Sequence, residues 1–293
     1  MKKGSKIAFI SCLLIAALAI GYAAYYFTTK SMASDVYAKM QQQVSAQTPS
    51  PIAATPAATP APTAAGSSGE TQAPAETQKP AETPKPTATP KPTPTPEPYV
   101  SPIDFDALWE INEDIVAWLT IPGTNVNYPI LQHTYENDYY LNVTAEGHEG
   151  LPGSIYIATY TDRFFKNNHI SVIYGHNMID GSMFGSLNNY SYESFMKEHD
   201  VVKIYTPKNE WTYRIFAGVI YDDRLIPVNY DDTWEPDREA FLDSLSEIGG
   251  AGTYIRDDLE VTSEDHLIVL STCIAGRNAN RYLVVAVRQD AEE

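Results

Sequence analysis

Fourteen of the chain's 21 prolines fall between Pro49 and Pro98, and no packed core can form there. Proline fixes its own φ and offers no backbone N–H. The residues between these prolines are mainly Thr, Ala, Ser and Lys rather than large apolar side chains. Burial cannot offset the entropy of ordering such a stretch, so a disordered linker is expected. Its densest part, KPTATPKPTPTPEP, favours polyproline II and reads as a semi-rigid spacer. Whatever folds lies outside it.

On the amino-terminal side, Ile7 to Phe27 is a run of 21 residues without a charge. As a helix rising about 1.5 Å per residue, it is long enough for a hydrocarbon core of about 30 Å. A cleavable signal peptide has a shorter apolar region and ends in a small-x-small site. This run ends in Tyr25-Tyr26-Phe27, bulky aromatics suited to a membrane interface. Lys2, Lys3 and Lys6 precede it and Lys30 alone follows closely, which sets the amino terminus inside and the remainder outside. Three regions follow: residues 1–30 as cytoplasmic amino terminus and single-pass anchor, 31–98 as extracellular linker, and 99–293 as the folded domain. Of the 20 basic and 37 acidic side chains, residues 1–99 hold 8 and 5, leaving residues 100–293 at net −20. A surface that acidic repels phosphate backbones, so nucleic-acid binding is excluded as a function.

Within 99–293 the hydrophobic pattern predicts a helix over Asp104–Leu119, ended by Ile121-Pro122-Gly123. Short β-branched or aromatic runs follow at Val126–Leu131, Ser154–Ala158, Ile170–Tyr174, Val201–Tyr205, Trp211–Tyr221, His266–Thr272 and Arg281–Val287. A second helical pattern covers Arg238–Ile248 and stops at Gly249-Gly250. Many short strands with few helices indicate a mainly β barrel or sandwich.

Of the two cysteines, Cys12 lies in the apolar run, so Cys273 is the one thiol of the exported domain and no internal disulfide can form there. It sits past the strand LIVLST, where the chain leaves the sheet for AGRNAN, a polar, glycine-containing loop, a place for an accessible thiol rather than an inert core residue. His176 mirrors it after the strand ISVIY and a glycine. The other histidines, His133, His148, His169, His199 and His266, read as surface residues. No histidine–cysteine cluster has metal-ligand spacing, so neither metal nor cofactor is expected. Arg281 opens the next strand, eight residues after Cys273. A thiol, an imidazole and a fixed cation at three strand ends form a nucleophile, a proton carrier and a donor for a developing oxyanion.

YGHNMIDGSMFGSL (174–187) and LSTCIAGRNANRYLVVAV (270–287) resemble the sortases, cysteine transpeptidases of the Gram-positive cell surface, and within them class B. FDALWEINEDIVAWLTIPGTNVNYPILQ (105–132), NDYYL (137–141) and GLPGSIYIATYTDRF (150–164) extend the resemblance along most of the domain. The resemblance implies a closed eight-stranded β-barrel with an amino-terminal helical extension and a helix in the β6/β7 loop. It implies that Cys273 is the nucleophile, His176 the general acid/base and Arg281 the catalytic arginine, with Arg277 as the rival cation. Asn137, Leu141, Tyr174, Ser271 and Thr272 match positions lining the groove for a sorting signal. Ile274 departs from the polar residue often found after the cysteine. No apolar run follows Val287, which within the resemblance speaks against the pilin-polymerising class C.

The implied activity is cleavage of a carboxy-terminal sorting pentapeptide in exported proteins through a thioester on Cys273. Transfer then goes to an amine of a peptidoglycan precursor or a surface protein. Two alternatives stay open. One is a cysteine peptidase that hydrolyses the same thioester, and the other a non-catalytic surface binding module.

Overall fold

β-Branched and aromatic runs carry the strands of this chain, and turn residues separate them. The computed structural model describes residues 3–47, 99–248 and 252–289. The linker expectation for residues 48–98 lies outside the described residues.

Among the described residues, nine strands form one sheet: β1 (Ile115–Thr120), β2 (Asn127–Leu131), β3 (Ile155–Ile157), β4 (Ile170–Tyr174), β5 (Val201–Tyr205), β6 (Glu210–Asp222), β7 (Tyr254–Ile255), β8 (Leu267–Ile274) and β9 (Arg277–Gln289). Eight of them, in the order β5-β1-β2-β3-β4-β8-β9-β6, close into a barrel through the β5–β6 pairing, while the two-residue β7 is appended to β6. Pairing is antiparallel except at β2–β3 and β4–β8. The closed eight-stranded barrel expected from the sequence is therefore present.

Alternation along the strands separates two cores. Trp118, Ile130, Ile173, Ile204, Ile268, Leu270, Val284 and Ala286 point inward and are wholly buried. On the opposite side of the same strands, Val172, Val269, Leu283 and Val285 form a second buried cluster with Phe241 and Leu245. Those two come from α3 (Glu235–Ile248), the longer helix between β6 and β7. It starts three residues earlier than the sequence pattern placed it, because proline is tolerated in a first helical turn and Pro236 sits there. Arg238 is tied down by its Nε to Ser263 O at 2.6 Å and its Nη2 to Glu264 Oε1 at 2.8 Å.

Two expectations are corrected. The helix over Asp104–Leu119 is only α2, Phe105–Trp109, capped by Asp104 Oδ1 accepting from Ala107 N at 3.0 Å. Asn112 Oδ1 accepts from Asp114 N at 2.9 Å, a side-chain turn that halts the helix. Beyond it the β-branched Ile115 and Val116 enter β1, so local apolar spacing yields to pairing with β2 and β5.

The second concerns the anchor. α1 runs from Lys3 to Gln47, well past residue 30, where the sequence reading began the linker. No proline or glycine stands between Lys30 and Gln47 to stop it. Ala33, Tyr37, Met40 and Val44, spaced for one helix face, are buried against the barrel. Among the described helices, α1 is the one long and apolar enough to cross a membrane, with a mean hydropathy of 1.9 in its most apolar window.

Candidate active site

The site is set by three neighbouring strands. In the parallel pair β4–β8, Tyr174 lies opposite Ser271. Past the end of β4 the register continues: Gly175 N donates to Ser271 O at 3.2 Å, and Asn177 Nδ2 donates to Cys273 O at 2.8 Å. His176 lies between these two tethers, at the end of β8 that carries Cys273. In the antiparallel pair β8–β9, Cys273 is directly opposite Arg281. Cys273 and Arg281 thus face each other across β8 and β9, with His176 just past the end of the neighbouring β4.

Cys273 is a free thiol and exposed. It lies within β8 rather than past its end, because AGRNAN is largely not a loop. β8 and β9 are joined by a tight hairpin in which Ile274 pairs with Arg277 and Gly276 takes φ +72°. Glycine adopts that conformation without strain. The register shifts between the Ile274–Arg277 and Cys273–Arg281 pairs, leaving residues 278–280 in a bulge. Arg281, not Arg277, is the cation opposite the thiol. Its Nη1 donates to Asn280 O at 3.0 Å.

His176 is half-buried and its Nε2 lies 2.7 Å from Leu141 O. A carbonyl can only accept, so Nε2 carries the hydrogen. In the neutral ring Nδ1 is then the basic nitrogen. Leu141, matched in the sequence to a groove position, also orients the histidine through its backbone.

The remaining expected groove residues divide. Tyr174 stacks on Tyr156 at 5.3 Å, and burial, followed by the charges of Tyr160 and Tyr156, pushes its hydroxyl well above the usual tyrosine range. Tyr156 is raised too, first by burial, then by Asp138 and Tyr160, and to a smaller degree by Cys273. Ser271 shares the face of Cys273. Asn137 is exposed, with Oδ1 accepting from Thr159 N at 3.1 Å and Thr159 Oγ1 at 2.7 Å. Thr272 points the other way: it is 2% exposed, and its Oγ1 donates to Gly175 O at 2.7 Å. It braces the backbone before His176 from inside the barrel.

Two residues here carried no chemical signal in the sequence. Gly175 leaves no room for a side chain, since a Cβ would lie 2.8 Å from the Phe184 ring and closer still to Ile155. Asn177 ties the histidine's loop to the thiol's strand. Away from the site, His169 and His266 differ from the surface reading. Their rings stack at 4.7 Å, and His266 is pushed below the ordinary histidine range, chiefly by burial. Among the described residues, no group of three or more His, Cys, Asp or Glu is gathered as metal ligands would be.

Residues 119–289, more than half of the chain, match the family model of the sortase domain. Sortase B of Staphylococcus aureus is 30% identical over 192 residues, covering 64% of this chain and 75% of that protein. This chain belongs to the sortase family, class B. Sortase B of Listeria monocytogenes is 35% identical over 168 residues, 57% of this chain and 65% of its own length. The Staphylococcus aureus sortase B–substrate complex superposes with a TM-score of 0.56 at 30% identity, covering 64% of this chain and 85% of that one. Sortase B of Bacillus anthracis in complex with AAEK1 gives 0.57 at 30%, covering 68% and 90%. The sortase thus shares its fold with these relatives.

Proposed function

We propose that this sortase is a membrane-anchored cysteine transpeptidase acting on exported proteins that carry a carboxy-terminal sorting pentapeptide. The single observation that supports it most is an exposed Cys273 directly opposite Arg281 in the β8–β9 ladder, with both neighbours of His176 hydrogen-bonded to the same end of β8. The Cys273 thiolate attacks the carbonyl carbon of the scissile peptide. Arg281 donates to the oxyanion, in a rigid fork that stays protonated. As the C–N bond breaks, His176 delivers a proton to the departing amine, leaving a thioester. An acceptor amine then attacks the thioester, its proton passes to the imidazole, and the thiolate leaves. The acceptor is an amine of a peptidoglycan precursor or a surface protein.

The apolar half of α1 holds the chain in the cell membrane with its amino terminus in the cytoplasm and the barrel outside. There both partners arrive, and tethering raises their effective concentration. Substrate residues lie along the face bearing Tyr174, Ser271, Leu141 and Asn137.

Incubating the full chain in detergent micelles with labelled pentapeptides and candidate amines tests the reading. Amine-dependent formation of a peptide–amine product supports it. Release of free acid alone, unchanged by any amine, would assign a peptidase instead.

Gly175→Ala is expected to lower both stability and turnover. Overpacking between Ile155 and Phe184, both wholly buried, costs about 1–3 kcal/mol. The displaced histidine should slow turnover about tenfold or more, since small misplacements carry large kinetic costs. Thermal unfolding and kcat measured on one preparation check both, and a wild-type kcat would show that the position of residue 175 does not matter.

A further inference from the structure

We propose that the part of α1 beyond the membrane run, residues 30–44, is a positioning element for His176. The proposal rests on the reading of His176 as the proton carrier. Two lines of contact, which share Tyr37, join this helix segment to that side chain.

The first runs through the loop 176–184. Lys30 Nζ meets Asp180 Oδ2 at 2.9 Å, while Asp180 Oδ1 accepts from Ser182 N at 3.1 Å and from Ser182 Oγ at 2.6 Å. The Ser182 hydroxyl first, and Lys30 next, hold the Asp180 carboxyl down to about 2. A depressed carboxylate loses its contribution only as pH falls through its folded value, so the pair stays charged at any neutral pH. The Tyr37 ring meets the Tyr128 ring edge-on at 5.6 Å, and the Tyr128 hydroxyl accepts from Met183 N at 3.0 Å. Met183 is 1% exposed and sits at φ +52°, a left-handed conformation that a non-glycine residue keeps only when its surroundings enforce it. The next residue closes the loop, with Phe184 N donating to His176 O at 3.0 Å. A cavity of about 120 Å³ lies between the helix and this loop, edged by Lys30, Tyr37, Gln41, Tyr128 and Met183.

The second line reaches the imidazole itself. Tyr37 is 4% exposed, and its hydroxyl donates to Gly153 O at 2.7 Å and accepts from Ala145 N at 3.2 Å. Gly153, at φ +61°, packs so tightly on the Leu141 carbonyl that a Cβ would collide with it. That carbonyl is the acceptor for His176 Nε2. Gln41 Nε2, donating to Asn127 O at 2.6 Å, fastens the same helix face to β2. Both the backbone of His176 and the orientation of its ring therefore trace to a helix whose other half is the membrane run. The anchor is part of the working site and not merely a tether.

The test uses the full chain in detergent micelles, with kcat and KM measured separately and reactive Cys273 counted by thiol titration. Met40→Asp puts a charge at a 1% exposed position of the docked face and releases the helix. Tyr37→Phe keeps the ring and removes only the hydroxyl. Both should lower kcat about tenfold, leave KM within about twofold, and leave the thiol count unchanged. Lys30→Glu should lower kcat about three- to fivefold, and adding Asp180→Lys should restore it, since the swap recreates the pair. If Met40→Asp does not fold, Tyr37→Phe and the charge swap decide alone. Wild-type kcat in Tyr37→Phe, or a swap that fails to restore kcat, overturns the proposal while the transpeptidase reading stands. An inactive wild-type chain, or full activity in Cys273→Ala, overturns the underlying reading and the proposal with it.

Discussion

Cys273→Ala is expected to leave the barrel folded and transpeptidation at background, a loss of more than about 10³-fold, as when other covalent enzymes lose their nucleophile. The thiol is exposed at the edge of the outer cluster, so no core contact is lost. A substitution at such a position changes stability by about 0.5 kcal/mol or less. Cys273→Ser should be nearly as inactive, because a hydroxyl is far less ionised than a thiol at neutral pH. The domain has no second thiol to take over, since Cys12 lies in the amino-terminal apolar run. Thermal unfolding paired with amine-dependent product formation separates the two effects. Unfolding of Cys273→Ala would return the residue to a structural role, and residual transpeptidation would move the nucleophile elsewhere.

Arg281→Lys is expected to cut turnover by about 10²–10³-fold, the usual cost of losing one oxyanion donor. Charge is retained, so the loss measures the directed fork of the guanidinium. Arg277→Lys should stay within about threefold, as surface substitutions away from a site do. The sequence already favoured Arg281, as the residue that opens a strand eight residues after Cys273. The structure gives a different reason for the same choice: Arg277 opens β9 and pairs with Ile274, while Arg281 faces Cys273 across the β8–β9 ladder. Kinetics on the two lysine variants distinguish these positions. A larger loss at Arg277 would mean that the bulge over residues 278–280 presents the other arginine to substrate.

The barrel was legible where β-branched runs end at turn residues. Ile170–Tyr174 and Val201–Tyr205 have the bounds their sequences imply, closed by Gly175 and by Pro207 just beyond. Cys273, His176 and Arg281 were legible as chemistry, through residue type and position at strand ends, and the resemblance to sortases assigned their roles. Less visible were features that depend on partners distant in sequence. Ile115–Leu119 continues the helical spacing of α2 but is claimed by two neighbouring strands. Residues 31–47 look like the start of a linker because their buried face, at Ala33, Tyr37, Met40 and Val44, is diluted by Ser, Gln and Lys. Thr272 was expected to face substrate, yet strand alternation turns it inward beside Cys273. Gly175 has no side chain to draw attention, and only the crowding of Ile155 and Phe184 reveals why nothing larger fits.

The most direct test of the central claim is to trap the intermediate. The full chain in micelles is mixed with a cleavable sorting pentapeptide, quenched in acid within one turnover, and examined by intact-mass and peptide-mapping mass spectrometry. The account predicts an adduct equal to the amino-terminal part of the pentapeptide, borne on Cys273 as a thioester. The adduct should vanish on adding hydroxylamine or an acceptor amine, with the matching hydroxamate or amide released. Amine-dependent product that forms in Cys273→Ala, or an adduct that maps to any residue other than Cys273, would contradict it.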